Sequence, residues 1–240
     1  MKFTIHSDIF EQFPDFSAGL LAVKGIDNLT QDNEIELFLR HASLEAGLLI
    51  RMKPLHKDAS ILAYREALAK ISMEDHVPEV EAVFREFEDG IEAEAKETAE
   101  GARPFVPGST VGLVGVTALP RKNPAMDLMR GATLQFRLPV LAFDVGRDEK
   151  PVGIAFRDGE PVITVGGKTA VRHFFCEEEE AGAVDEESRN LLVVIPAFSV
   201  NRRKAMSVRN ELARRIKDSF GRDTEAAWVD AKTREFISNI

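Results

Sequence analysis

The stretch Asn123–Val145, NPAMDLMRGATLQFRLPVLAFDV, decides how the rest of the chain is read. Asn123 is a helix N-cap residue, and Pro124 fits the first helical position, where its missing N–H costs nothing. A short helix follows, with Met126, Met129, Thr133 and Phe136 expected to turn inward. Leu138-Pro139 ends it, and Val140–Val145 reads as a strand. At this point the chain changes character.

On the N-terminal side, two short strands come first. Lys2–His6 alternates with Phe3 and Ile5 on one face, and Gly19–Val23 is an apolar run between turn residues. Three helices follow. Asp32 caps one that runs to about Met52 and stops at Pro54. Asp58 or Ser60 opens the next, which breaks near His76. Pro78 begins a third, with Val80, Val83, Phe84, Phe87 and Ile91 at helical spacing. Its acidic extension EAEAKETAEGA closes at Gly101, before a loop with Pro104, Pro107 and Gly108 and a strand at Val111–Ala118.

Strands dominate the C-terminal side: Val152–Phe156, Pro161–Val165, Ala170–Cys176 and Leu191–Ile195. Arg157-Asp158-Gly159-Glu160 is a hairpin turn between the first two. Asn201 then opens a helix from Arg202 to about Phe220, closed by Gly221. Helices gathered early and strands late predict an α+β fold. The expected organisation is one domain over residues 1–240, a β-rich core flanked by helices, with an acidic insertion at about 88–115.

Composition narrows the function. The 240 residues are 44% hydrophobic and 30% charged, which excludes disorder as a description of the whole chain. Net charge is −9, from 31 Lys+Arg and 40 Asp+Glu, so nucleic acid is repelled unless a local basic patch overrides the mean field. DNA is not an expected partner. No run approaches the length that spans a bilayer, and MKFTIHSDIF lacks a signal-peptide pattern, so no membrane contact is expected and the compartment is cytoplasmic.

Few motifs carry chemistry. Gly166-Gly167-Lys168-Thr169 resembles a phosphate-binding loop, but Val162 stands where its earlier glycine belongs and a strand follows instead of a helix. It reads as a turn. His173 and Cys176 lack further ligands, since Cys176 is the one cysteine and His6, His41, His56 and His76 are scattered. Neither metal nor cofactor is expected, and no catalytic residue is assigned. Asp127 and Asp144 stand in apolar surroundings, where a carboxylate needs partners: each binds a ligand or caps a helix end or turn. Arg203, Lys204, Arg214, Arg215 and Lys217 fall largely on the side of the last helix opposite Val208, Leu212 and Ile216. That face either contacts phosphates or pairs with the protein's own acid.

Several segments carry a resemblance. They are FPDFSAGLLAVKGIDN (13–28), Tyr64-Arg65, PEVEAVFREF (78–87), the Asn123–Val145 stretch with Asn123, Asp127, Leu138-Pro139 and Phe143-Asp144, then Val152–Val165, Arg172–Phe175 and Ser188-Arg189-Asn190 before LLVVI. Together they resemble free-standing members of the B3/B4 domain family, the module inside the beta subunit of bacterial phenylalanyl-tRNA synthetase. There the module hydrolyses tyrosine wrongly attached to the phenylalanine tRNA. The resemblance implies a role in trans: binding an aminoacyl-tRNA, or hydrolysing a mischarged one as an editing deacylase. Its pocket is expected at Asp127, Arg130, Phe143, Asp144 and His173, with Arg203, Lys204, Arg214, Arg215 and Lys217 on the tRNA.

The chain departs from the family pattern at Leu141, where the synthetase has histidine. It departs again at Arg130-Gly131, in place of an asparagine, and at His173 and Phe175, in place of tryptophans. The acidic pI near 5.2 and the lost histidine favour an alternative: a non-catalytic module for a free amino acid, a small metabolite or a protein partner.

Overall fold

A computed structural model describes residues 1–100 and 119–239. The strand and loop expected at 101–118, and most of the acidic insertion, lie outside the described residues. The fold is mixed α+β with two sheets. The first strand is β1 (Lys2–Ile5), and a short helix α1 (Ser7–Gln12) stands between it and β2 (Ser17–Val23). Helix α2 (Asn33–Met52) begins as expected, because the Asp32 carboxylate accepts the N–H groups of Glu34 and Ile35. Asp58 caps α3 (Ala59–Lys70) in the same way, through Ser60 N–H. Helix α4 (Glu79–Glu100) buries Val80, Val83, Phe84 and Phe87.

Helix α5 (Pro124–Phe136) is the pivot between the two halves. Asn123 Oδ1 accepts the Met126 N–H, and Arg137 ends the helix in a left-handed conformation. The sequence suggested one inward face. Instead α5 is buried on nearly every side, with Asp127 and Arg130 inside and Phe136 at the margin. The reason is packing from two directions, α2 on one side and α4 on another. Gly131 permits the first approach, since a Cβ there would stand 2.9 Å from the Phe38 ring.

Strands β3 (Leu141–Asp144), β4 (Val152–Arg157), β5 (Glu160–Val165), β6 (Lys168–Arg172), β7 (Glu177–Glu178) and β8 (Leu191–Ala197) follow. Helix α6 (Arg202–Phe220) and two strands absent from the sequence reading, β9 (Thr224–Asp230) and β10 (Glu235–Ile237), complete the chain. One sheet has the order β10-β1-β4-β5-β6-β7, the other β3-β8-β2-β9. In the second sheet all pairs are antiparallel, and β2 and β8 are buried along their whole length. Both hairpin turns fall where the sequence puts them. Asp158-Gly159 and Gly166-Gly167 all take positive φ, so the glycine-lysine fragment is a turn between β5 and β6.

An aromatic cluster ties the parts together. Phe13 and Phe16 meet the Phe174 ring edge-on at 5.0 Å, and Tyr64 meets Phe175 at 5.1 Å and Phe198 at 5.7 Å. Each such pair adds about 0.5–1.5 kcal/mol beyond the area it buries. Tyr64 also donates its hydroxyl to the Pro196 carbonyl at 2.8 Å, and burial pushes its phenol up. Arg65 grips Glu81 with both Nε and Nη2, fastening α3 to α4. The Tyr64-Arg65 pair is therefore architectural.

Candidate functional site

The end of β3 opens onto a cleft of about 610 Å³. Asp144 closes the strand and turns the chain: its Oδ1 accepts the Gly146 N–H at 2.8 Å, and Gly146 takes a φ of 67°. Asn190, on the facing strand end, donates to the Gly146 carbonyl at 3.1 Å and accepts the Gly25 N–H at 3.2 Å. Beyond that turn, Lys24 and the amino group of Met1 hydrogen-bond Glu149 and hold its carboxyl down at about 2.

The opposite wall is the loop at 185–188. Asp185 Oδ1 accepts the N–H groups of Glu187 and Ser188, both at 2.9 Å. Buried Ser188 lies 3.1 Å from Asp144 Oδ2 and 3.1 Å from Asp185 Oδ1, so its one hydroxyl proton serves two carboxylates. Asn28, also buried, donates to the Asp185 carbonyl and accepts the Ala125 N–H, fixing this loop to the start of α5. The lining carries both signs of charge. Asp144, Asp185, Glu186 and Glu187 supply carboxylates, and Arg147 and Arg189 supply guanidiniums, with Leu29 exposed at the edge.

The expected pocket residues do not converge. Phe143 and Asp144 are neighbours on a strand and face opposite sides, Phe143 buried and Asp144 half-buried. Phe143 lines a separate hollow of about 170 Å³ with Lys122, Met126, Ala170 and Gly182. Asp127 is fully engaged: Arg121 Nε donates at 2.6 Å and Lys122 N–H at 2.9 Å. Arg130 donates to the Pro120 carbonyl at 2.7 Å and pairs with Glu86, which joins α5 to α4.

His173 lies elsewhere again. The expected strand Ala170–Cys176 stops at Arg172, because His173 and Phe174 take left-handed φ values of 49° and 71°. That kink drives Phe174 into the aromatic cluster. It also sets the His173 ring against His76 in a tilted contact, with centroids 3.9 Å apart, and places Nδ1 3.6 Å from Glu160. Among the described residues no group of three or more His, Cys, Asp or Glu could hold a metal ion.

The cations of α6 are largely spoken for. Arg214 is bound between Glu211 and Asp218, Arg215 pairs with Glu211 and lies 3.7 Å over the Phe38 ring, and Lys217 pairs with Asp223. Lys204 turns inward toward Ser60, and Arg203 is exposed. Spacing of three and four residues on one helix already foretells the pairs of Glu211 and Arg214 with their neighbours. The inward turn of Lys204 has no such signal. Sequence reasoning also missed Arg147, Asn28 and the Ser188 bridge. No helix among the described residues is long and apolar enough to cross a membrane. No family model and no curated protein matches the chain.

Proposed function

We propose that this protein binds an aminoacyl group carried on tRNA in the cleft beside Asp144 and hydrolyses its ester. The observation that carries the reading is the mixed charge of a cleft built on the one expected pocket residue that opens into it. An aminoacyl-adenosine end presents an ammonium, an ester and phosphates within a few ångströms. Carboxylates of Asp144, Asp185 and Glu186 suit the ammonium, and Arg147 and Arg189 suit the phosphates. The volume falls in the range of small-molecule sites, about 300–1,000 Å³. Hydrolysis there would use a water held by the carboxylates, since the Ser188 hydroxyl is buried and its proton engaged.

A second reading has an observation of its own. With Arg214, Arg215 and Lys217 paired internally, α6 offers little to a polynucleotide. That favours a free amino acid, whose ammonium and carboxylate match the same two kinds of lining group. Deacylation assays and filter binding over a panel of mischarged tRNAs decide between them, with Asp144→Asn and Arg189→Gln as cleft variants. Release of the amino acid that falls at least about tenfold in either variant supports editing. No turnover and no tRNA retention, together with calorimetric binding of free amino acids that the variants abolish, overturns editing in favour of the second reading.

A further inference from the structure

Arg137 ends α5 with 4% of its side chain exposed. Its Nη1 donates to the Lys53 carbonyl at 2.9 Å and lies 3.4 Å from Asp58 Oδ2. Its Nε and Nη2 are buried and have no hydrogen-bond partner among the described residues. Those two groups form one edge of the planar guanidinium, a pair of parallel donors spaced for two oxygens of one anion. Leaving such donors buried and unmet costs stability.

The charge around Arg137 is unbalanced. Lys53 Nζ stands 3.3 Å from Asp58 Oδ2, and Lys204 Nζ stands 3.4 Å from Ser60 Oγ. Burial holds the Lys204 ammonium below the usual lysine range; Asp58 opposes that, and Arg137 and Lys53 add to it. Asp58 also accepts the Ser60 N–H on its other oxygen, as the cap of α3. Three cations face one carboxylate, a local charge of +2 inside a protein of net charge −9.

We propose that Arg137, Lys204, Lys53 and Ser60 form a binding site for a phosphate-class oxyanion, at the meeting of the α2 and α5 C-termini with the α3 and α6 N-termini. The open edge of Arg137 takes two oxygens, and the ammonium groups of Lys204 and Lys53 balance a dianion. A monovalent carboxylate would leave half the excess charge unmet. Lys53, half-exposed, marks the side of entry. This site lies beyond the start of β3, at the other end of the strand from the Asp144 cleft, and does not rest on the function proposed for that cleft.

Calorimetric titration of the full chain with inorganic phosphate, at ionic strength held constant with chloride, tests the proposal. Saturable one-to-one binding is expected, abolished in Arg137→Gln. Because Arg137 is buried and its variant could unfold, Lys204→Gln carries the decision on a half-buried side chain, with an expected loss of about tenfold or more in affinity. No saturable binding beyond the chloride control, or unchanged affinity in Lys204→Gln, overturns the site. Once phosphate binding is established, uncharged tRNA identifies the source. Competition assigns the site to an RNA backbone phosphate, and absence of competition assigns it to a free phosphate compound.

Discussion

At the end of β3, Asp144 stands among loops and faces water, whereas just before its start Arg137 is buried among four helix ends. Both places gather charge of both signs, but solvent treats them differently. Cleft carboxylates such as Asp185, Glu186 and Glu187 are exposed, so their repulsion is screened and each contributes little to stability. Asp58 and Arg137 are withdrawn from water, where removing one partner strands the other. The cleft is free to change its chemistry at small cost to the fold. The cluster is not.

The largest effect should therefore come from Asp58→Asn. Asparagine keeps an oxygen for the Ser60 N–H and so preserves the α3 cap, isolating the charge. With the one carboxylate gone, Arg137, Lys53 and Lys204 face one another uncompensated. A loss of about 3–5 kcal/mol in urea denaturation is expected. Phosphate should recover part of it. A loss under about 1 kcal/mol would place these cations in water and dissolve the contrast with the cleft.

Ser188→Ala is the matching deletion at the other end. Asp144 and Asp185 lose a shared donor, but both carboxylates can turn to solvent, so about 1 kcal/mol is the expected loss. Amino-acid binding in the cleft should fall more than stability does, because the 185–188 wall loses its tie to β3. Equal losses in the two measurements would mean that this wall is as much part of the core as the cluster.

The comparison also explains what could be read from the sequence. The cap positions Asp32, Asp58 and Asn123, and the turn pairs Asp158-Gly159 and Gly166-Gly167, act through neighbours in the chain, so local chemistry announces them. The strand β9, with sequence TEAAWVD, mixes strand-favouring Thr, Trp and Val with Glu, Ala and Asp, and its pairing with β2 some two hundred residues away settles it as a strand. Asn201 marks the start of α6 correctly, yet its side chain accepts the Phe198 N–H and not a helix N–H. Asp144 was legible as a carboxylate needing partners, while Ser188 and Asn28, which place the cleft's wall, come from distant loops. Lys204 shows the limit most sharply: a basic residue on a basic helix looks solvated until α3 and α5 are packed beside it.

Lys204 also provides the smallest and most specific test. Burial lowers its folded-state pKa below the ordinary 10.5, with Arg137 and Lys53 acting in the same sense and Asp58 against it. Below the folded value the ammonium is charged in both states, and its desolvation cost is carried in full. As pH rises from there toward 10.5, the folded protein releases a proton that the unfolded chain still holds. The unfolded state then binds more protons, so stability climbs with pH across that window. Lys204→Met should remove the climb, seen as the difference between wild-type and variant urea midpoints. Saturating phosphate should flatten it in the wild type, because an anionic partner restores the charged form. Parallel pH profiles for wild type and Lys204→Met would show that this lysine reaches water as freely as the residues lining the cleft, and the two ends of β3 would no longer differ in kind.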